Sequence, residues 1–317
     1  MELRGLHHVT AVSAAIGANH RYYTGTLGMR LVKRSVNQDD VSAYHLFYAD
    51  AVGTPGTDLT FFDWPVPTER RGTHSIVRTQ LRVGGERALE WWATHLREQT
   101  GATVDIRERA GRATLDFEDG EGQRLSLVDD HGEAPAGQPW ERSPVPEEYQ
   151  IRGLGPVVLS VPDLARTDAM LQQVINLRPA GEYADPEHGR DRVVVYQMAD
   201  GGPGAEVHVA EQRGLPPARQ GAGSVHHVAF RTPNEQEYAA WLERLTEHGV
   251  PNSGPVDRFW FRSIYFREPN GILFEIATDG PGFAVDEDPA TLGEKVVLPP
   301  FLEPRREQIV RNLKPIE

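Results

Sequence analysis

The sequence predicts an α+β protein assembled from four βαβββ modules arranged as two domains, and three observations lead to it. A strand–helix–strand–strand–strand succession of apolar runs recurs four times along the 317 residues. Two runs, Leu6-His7-His8-Val9-Thr10 and Val225-His226-His227-Val228-Ala229, carry a His-His pair among β-branched residues at opposite ends of the chain. A third run, Ile272-Leu273-Phe274-Glu275-Ile276-Ala277, holds one carboxylate in apolar surroundings. Burying such a group unpaired is costly, and a cation beside it removes the cost.

Each module follows from local chemistry. In module one the pattern predicts a strand Leu6–Val12, a helix Ala15–Gly25 and strands Arg30–Asn37, Ala43–Ala49 and Asp58–Trp64. Gly28 suits the left-handed cap that ends the helix. Tyr44-His45-Leu46-Phe47-Tyr48 is aromatic, as a half-buried pleated surface favours. Thr54-Pro55-Gly56-Thr57 has turn composition. Module two reads as Ile76–Val83, a helix Ala88–Thr100, then strands near Thr103–Arg109, Arg112–Phe117 and Arg124–Val128. Module three gives Pro156–Val161, a helix Leu164–Val174 and strands Arg192–Gln197 and Glu206–Ala210. Module four gives Val225–Arg231, a helix Asn234–His248, then Arg262–Phe266 and Gly271–Ala277.

Residues 1–131 are thus expected to form one domain (modules one and two) and 151–283 a second (modules three and four). The Pro- and Glu-rich stretch 132–150 links them. The tail, 284–317, lies outside the repeat. Its Leu298-Pro299-Pro300-Phe301 is stiff, and an amphipathic helix reaching Leu313 is expected to pack on a domain or cover a dimer contact.

Bulk composition narrows the function. A formal charge of −13 argues against nucleic acid or an anionic membrane as partner, since both require a basic face. With no cysteine, the chain has no disulfide, zinc–thiolate site, iron–sulfur cluster or thiol nucleophile. Met1-Glu2-Leu3-Arg4 does not begin a signal peptide, and no apolar run nears the ~20 residues of a membrane span. The expected location is the cytoplasm. Two imidazoles and one carboxylate on rigid strands are the ligand types of a mononuclear non-haem iron(II) site with open positions. Strict strand alternation would turn His7 and His226 away from the face bearing His8 and His227.

The repeat, with Leu27-Gly28-Met29 after its first helix, resembles the vicinal-oxygen-chelate superfamily of glyoxalases, bleomycin-resistance proteins and extradiol dioxygenases. That resemblance implies glyoxalase-like domains in which paired modules curl into half-barrel sheets around a metal. It also implies two ligand positions per module. Anchoring the first before the end of the opening strand gives His8, Thr79, Val157 and His227. Anchoring the second after the turn glycine gives Thr60, Ser126, His208 and Glu275. Modules one and four then share the site through His8, His227 and Glu275, while His208 reads as structural. Three ligands instead of four favour oxygen chemistry.

A finer likeness lies in Leu31-Val32-Lys33-Arg34-Ser35-Val36-Asn37-Gln38, Gly53-Thr54-Pro55-Gly56-Thr57 and the tail Leu298–Arg306. These are similar to para-hydroquinone ring-cleaving 1,2-dioxygenases. The resemblance implies iron(II), with manganese or zinc as alternatives, on His8, His227 and Glu275. It implies substrate or supporting roles for His7, Thr10, His226, Arg258 and Tyr265. The partners it implies are a small aromatic substrate and dioxygen, and a homo-oligomer is expected. A hydroquinone places one hydroxyl on the metal, so the far one needs protein partners, for which Arg258 and Tyr265 have suitable chemistry. The competing readings are a glyoxalase-like metal-dependent isomerase or transferase, and a non-enzymatic binder of aromatic compounds.

Overall fold

The computed structural model describes residues 1–316, and among them sixteen strands form two eight-stranded sheets, each curled into a half-barrel. Module one supplies β1 (Leu6–Ser13), β2 (Arg30–Val36), β3 (Tyr44–Ala49) and β4 (Asp58–Asp63). Module two supplies β5 (Ser75–Val83), β6 (Asp105–Arg109), β7 (Arg112–Glu118) and β8 (Arg124–Asp129). Module three supplies β9 (Gly153–Val161), β10 (Arg178–Ala184), β11 (Arg192–Gln197) and β12 (Glu206–Glu211). Module four supplies β13 (Val225–Thr232), β14 (Val256–Asp257), β15 (Arg262–Arg267) and β16 (Leu273–Thr278).

The first sheet runs β14-β15-β16-β13-β1-β4-β3-β2 and the second β10-β11-β12-β9-β5-β8-β7-β6. Each sheet therefore draws on both halves of the chain: modules one and four make the first, modules two and three the second. Their seams are the antiparallel pairs β1/β13 and β5/β9.

Alternation along the strands divides the core. Val9, Ala11, Phe61, Phe230, Phe274 and Ile276 join the main cluster, which also takes Trp241 and Leu245 from the helix Glu235–Glu247. The side chain of Asn234 caps that helix by accepting from the Glu237 amide at 2.9 Å. A smaller cluster containing Val32, Phe47, Ala229, Trp260, Phe261 and Phe283 fills the concave side of the first sheet. Sequence and structure differ in three local respects, the smallest being β14, whose two residues are too few to leave an apolar pattern. The first helix, expected as one α-helix, is α1 (Ile16–Arg21) followed by a π turn, Tyr22–Thr26. Strand β10 goes unrecognised in sequence because it is an exposed edge strand with Pro179 and Gly181 and no apolar alternation.

The tail packs on module one. Leu298, Leu302 and Ile309 cluster with Val36, and Lys33, wholly buried, donates to the Phe283 carbonyl at 3.0 Å and to Asp286 and Glu287. This segment backs the wall of the first half-barrel that holds Trp260 and Phe283.

Candidate metal centre

The seam of the first sheet carries two β-bulges, and they set the geometry of the site. Leu6 pairs with Phe230 and His8 with Ala229, so His7 has no opposite residue. Thr10 pairs with His227 and Ala11 with Val225, so His226 has none either. An extra residue bends its strand and breaks the two-residue alternation. The expectation that His7 and His226 face away is therefore corrected: each stands beside the imidazole that follows it, Nδ1 to Nδ1, at 2.9 and 2.8 Å.

His8, His227 and Glu275 converge and are all buried. His8 Nε2 lies 3.3 Å from His227 Nε2 and 3.2 Å from Glu275 Oε2, and His227 Nε2 lies 2.9 Å from the same oxygen. Donors about 2.1 Å from one ion stand about 3.0 Å apart at right angles. The three separations fit that spacing. Glu275 Oε1 accepts from Ser263 Oγ at 2.5 Å, while Oε2 has no hydrogen-bond donor assigned to it. Burial alone would raise the Glu275 pKa, but His8 and His227 outweigh it and hold the carboxyl well below its usual range.

The tautomer of His8 follows from its neighbours. The Thr278 carbonyl can only accept, so His7 Nε2, 3.0 Å away, carries the proton. Burial, with His8 second, lowers the His7 pKa to about 3, so the ring is neutral and its Nδ1 accepts. His8 Nδ1 must then donate, which leaves His8 Nε2 as the nitrogen that faces Glu275 Oε2. An imidazole nitrogen facing a carboxylate oxygen needs a proton or a cation between them, and a cation suits all three donors at once. A second cluster, Asp185, His188 and Asp191, differs: the amide nitrogen of Gln212 already lies 3.2–3.3 Å from all three.

The other residues singled out in the sequence are distributed unevenly. His8 and His227 reach a cavity also lined by Asn37, Gln38, His45, Phe62, Trp260 and Tyr265, with Arg258 at its edge. Arg258 Nε donates to Tyr265 Oη at 3.2 Å, its guanidinium lies over the Tyr265 ring at 5.2 Å, and Asp39 pairs with it at 2.9 Å. Burial, with Glu275 second, pushes the Tyr265 phenol upward, so it stays protonated. His7 and His226 stand behind the imidazoles and do not line the cavity. Thr10 is fully buried and is tied through Thr60 (2.8 Å) to His45 Nε2 (2.9 Å from Thr60). His45 itself was missed in the sequence. Its signal was available, since period two places it on the same face as Phe47, opposite Phe62.

Register also revises the module equivalence. Thr60 pairs with Thr10, Glu275 with Ala229, Ser126 with Gln80 and His208 with Val158. Two residues earlier stand His8, His227, Arg78 and Pro156, so the places assigned to Thr79 and Val157 belong to Arg78 and Pro156. The bulge at Val77 matches the one at His7 and supports this correspondence; the strand-end residues Val83 and Val161 lie one residue further along than Val12 does, so counting back from them slipped by one. His208, with Tyr183 at 3.0 Å and Glu206 at 3.2 Å, is a satisfied buried polar residue of the second sheet.

A fold of paired βαβββ modules curled around two imidazoles and a carboxylate defines a class of metal-site proteins, and comparison with known proteins agrees. Residues 153–276 match the Glyoxalase/Bleomycin resistance protein/Dioxygenase superfamily. The chain is 46% identical over 318 residues to "Putative ring-cleaving dioxygenase MhqA" of Bacillus subtilis (strain 168), covering 100% of both chains. It is 31% identical over 324 residues to chlorohydroquinone/hydroquinone 1,2-dioxygenase of Sphingobium indicum, covering 98% of this chain and 96% of the relative. A solved structure described as a "putative dioxygenase" from Bacillus subtilis superposes with a TM-score of 0.91 at 34% identity, covering 100% and 98%. The chain belongs to the Glyoxalase/Bleomycin resistance protein/Dioxygenase superfamily, and within it to the ring-cleaving dioxygenases, oxidoreductases that incorporate dioxygen.

Proposed function

We propose that the protein is an iron(II)-dependent, extradiol-type dioxygenase that opens a hydroquinone ring between C1 and C2. The hydroquinone is free, chlorinated or alkylated. The observation that carries this reading is the buried His8–His227–Glu275 set at the base of an aromatic-walled cavity edged by Arg258 and Tyr265. Two nitrogens and one carboxylate suit iron(II), and a three-donor set leaves positions for two further molecules. The name of the Sphingobium relative supports the substrate class. Bound iron would supply a meeting point for a phenolate oxygen and dioxygen, and a route for electrons between them.

The chain's own residues do the rest. Phe47, Phe62, Trp260 and Phe261 hold the ring and exclude water. Tyr265 keeps its proton and receives a hydrogen bond from Arg258, so its hydroxyl is free to donate into the cavity. Arg258 stabilises negative charge on the far substrate oxygen. His45 is neutral, because burial followed by His8 and His227 lowers its pKa, and it offers the substrate hydroxyl a hydrogen-bonding partner at the cavity wall, with Thr60 and Thr10 behind it. His7 and His226 orient the imidazoles they touch. The cavity, about 30 Å³, holds a water but no ring, so its walls must shift for a substrate to enter.

The test is oxygen uptake by protein loaded anaerobically with iron. Hydroquinone should consume oxygen and yield a ring-opened acid or semialdehyde, and catechol should not. Iron content should be about one per chain and should fall with His8→Ala, His227→Ala or Glu275→Ala. Absence of ring-opened product from every hydroquinone tried would refute the reading.

A further inference from the structure

The second half-barrel has a concave face of its own, and that face is hollow. A cavity of about 330 Å³ opens there, roughly the lower end of the range for small-molecule sites. Arg78, which stands where His8 stands in the first sheet, lines it, so this half-barrel has exchanged an imidazole for a guanidinium. Val77, Val158, Val193 and Leu215 form apolar walls, and Tyr183 adds a ring edge.

Four arginines line this cavity, and three of them are paired. Arg109 makes two bonds to Asp116, at 2.8 and 2.7 Å, and Arg78 bonds Glu187 and lies 3.4 Å from Asp116. Arg71 pairs with Glu118 at 2.8 Å and Glu69 at 3.5 Å. Arg124 is left over. It lines the cavity and is half-buried, yet it has no hydrogen bond or ion pair with any described residue, and its Nε, the buried part of the guanidinium, has no partner. Burial is the main cause lowering its pKa; Glu69 and then Glu187 oppose the shift from beyond ion-pair distance, while Arg71 and Arg78 add to it.

A guanidinium withdrawn from water without an acceptor is destabilising, and natural structures keep such groups where a ligand completes them. We infer that the second half-barrel binds a small monocarboxylate with an apolar body, its carboxylate on Arg124 and its body against the valine walls. One unpaired cation calls for one negative charge, and the nearby carboxylates of Asp185 and Glu187 repel a dianion such as phosphate. The planar fork of arginine matches a carboxylate bidentately. This site is independent of the metal centre, which lies in the other sheet.

Benzoate is the probe, with acetate and benzyl alcohol as comparisons, measured by calorimetry and thermal shift on the full chain. Benzoate should bind saturably, and acetate and benzyl alcohol each about tenfold or more weaker, because each lacks one of the two contacts. Arg124→Gln should weaken benzoate by about tenfold or more. Without ligand, its melting temperature should equal or exceed that of the unsubstituted chain, since an uncompensated buried charge is removed. Val193→Trp keeps Arg124 but fills the cavity, and it too should abolish binding while His227→Ala should not. No saturable benzoate binding would overturn the inference. So would binding indifferent to both Arg124→Gln and Val193→Trp, or a fall in melting temperature for Arg124→Gln with binding retained.

Discussion

His7 donates from Nε2 to the Thr278 carbonyl, and that one bond decides which nitrogen of His8 is available two atoms further on. Groups that orient a ligand in this way typically contribute about 10–100-fold in metal affinity. His7→Ala should therefore weaken iron(II) binding by about that factor, read by competition with a chromophoric chelator. Unchanged affinity would show that His8 needs no such lock. The candidate ligand residues were legible in the sequence because His-His pairs at two module starts and a carboxylate in an apolar strand are chemically conspicuous. His45 was not, because one histidine in an aromatic strand looks like any packed ring. Arg78 was passed over for Thr79 because register between strands leaves no mark in composition.

At the scale of elements, the mouth of the first half-barrel is held by a segment between β2 and β3. Gln38 Nε2 donates to the Arg258 carbonyl at 2.9 Å, and Asp39, largely exposed, pairs with the guanidinium. An exposed ion pair contributes about 0–1 kcal/mol, so it latches the segment without fixing it. Asp39→Asn should speed amide hydrogen exchange across residues 37–42 while moving the melting temperature by no more than about 2 °C. Exchange that stays unchanged would mean that Gln38 and packing hold the mouth alone. The strands bordering this mouth were predictable from aromatic and β-branched runs. Edge strand β10 and the π turn after α1 were not, since neither depends on apolar periodicity.

Across the whole molecule, the candidate site joins strands from the first and fourth modules, so a bound ion would staple the ends of the chain together. Iron(II) or manganese(II) should raise the melting temperature of the unsubstituted protein, corresponding to about 3 kcal/mol at a hundredfold excess over Kd. It should have little effect on His227→Ala. The second sheet holds one carboxylate whose loss should show in acid. Burial alone would raise the Glu206 pKa, but His208, Gln197 and Arg112 bring it down to about 2. A carboxyl lowered on folding stabilises the fold above its unfolded pKa of about 4.5, and that stability is lost as pH falls towards 2. Glu206→Gln should flatten this part of a stability–pH curve, which for the unsubstituted chain should drop by a few kcal/mol between about pH 4.5 and 2. An unaltered acid limb would assign acid loss to other carboxylates.

The four modules, most of their strands and the three residue types of the candidate metal set were legible in the chain, because periodicity and side-chain chemistry are local properties. The sequence also implied that modules one and four meet, since only they carry competent ligands. Tertiary structure alone decided how the histidines face one another, through two bulges at the β1/β13 seam, and that Arg124 is stranded in a hollow half-barrel. Both depend on register between strands distant in the chain, and register is fixed only when the strands pair.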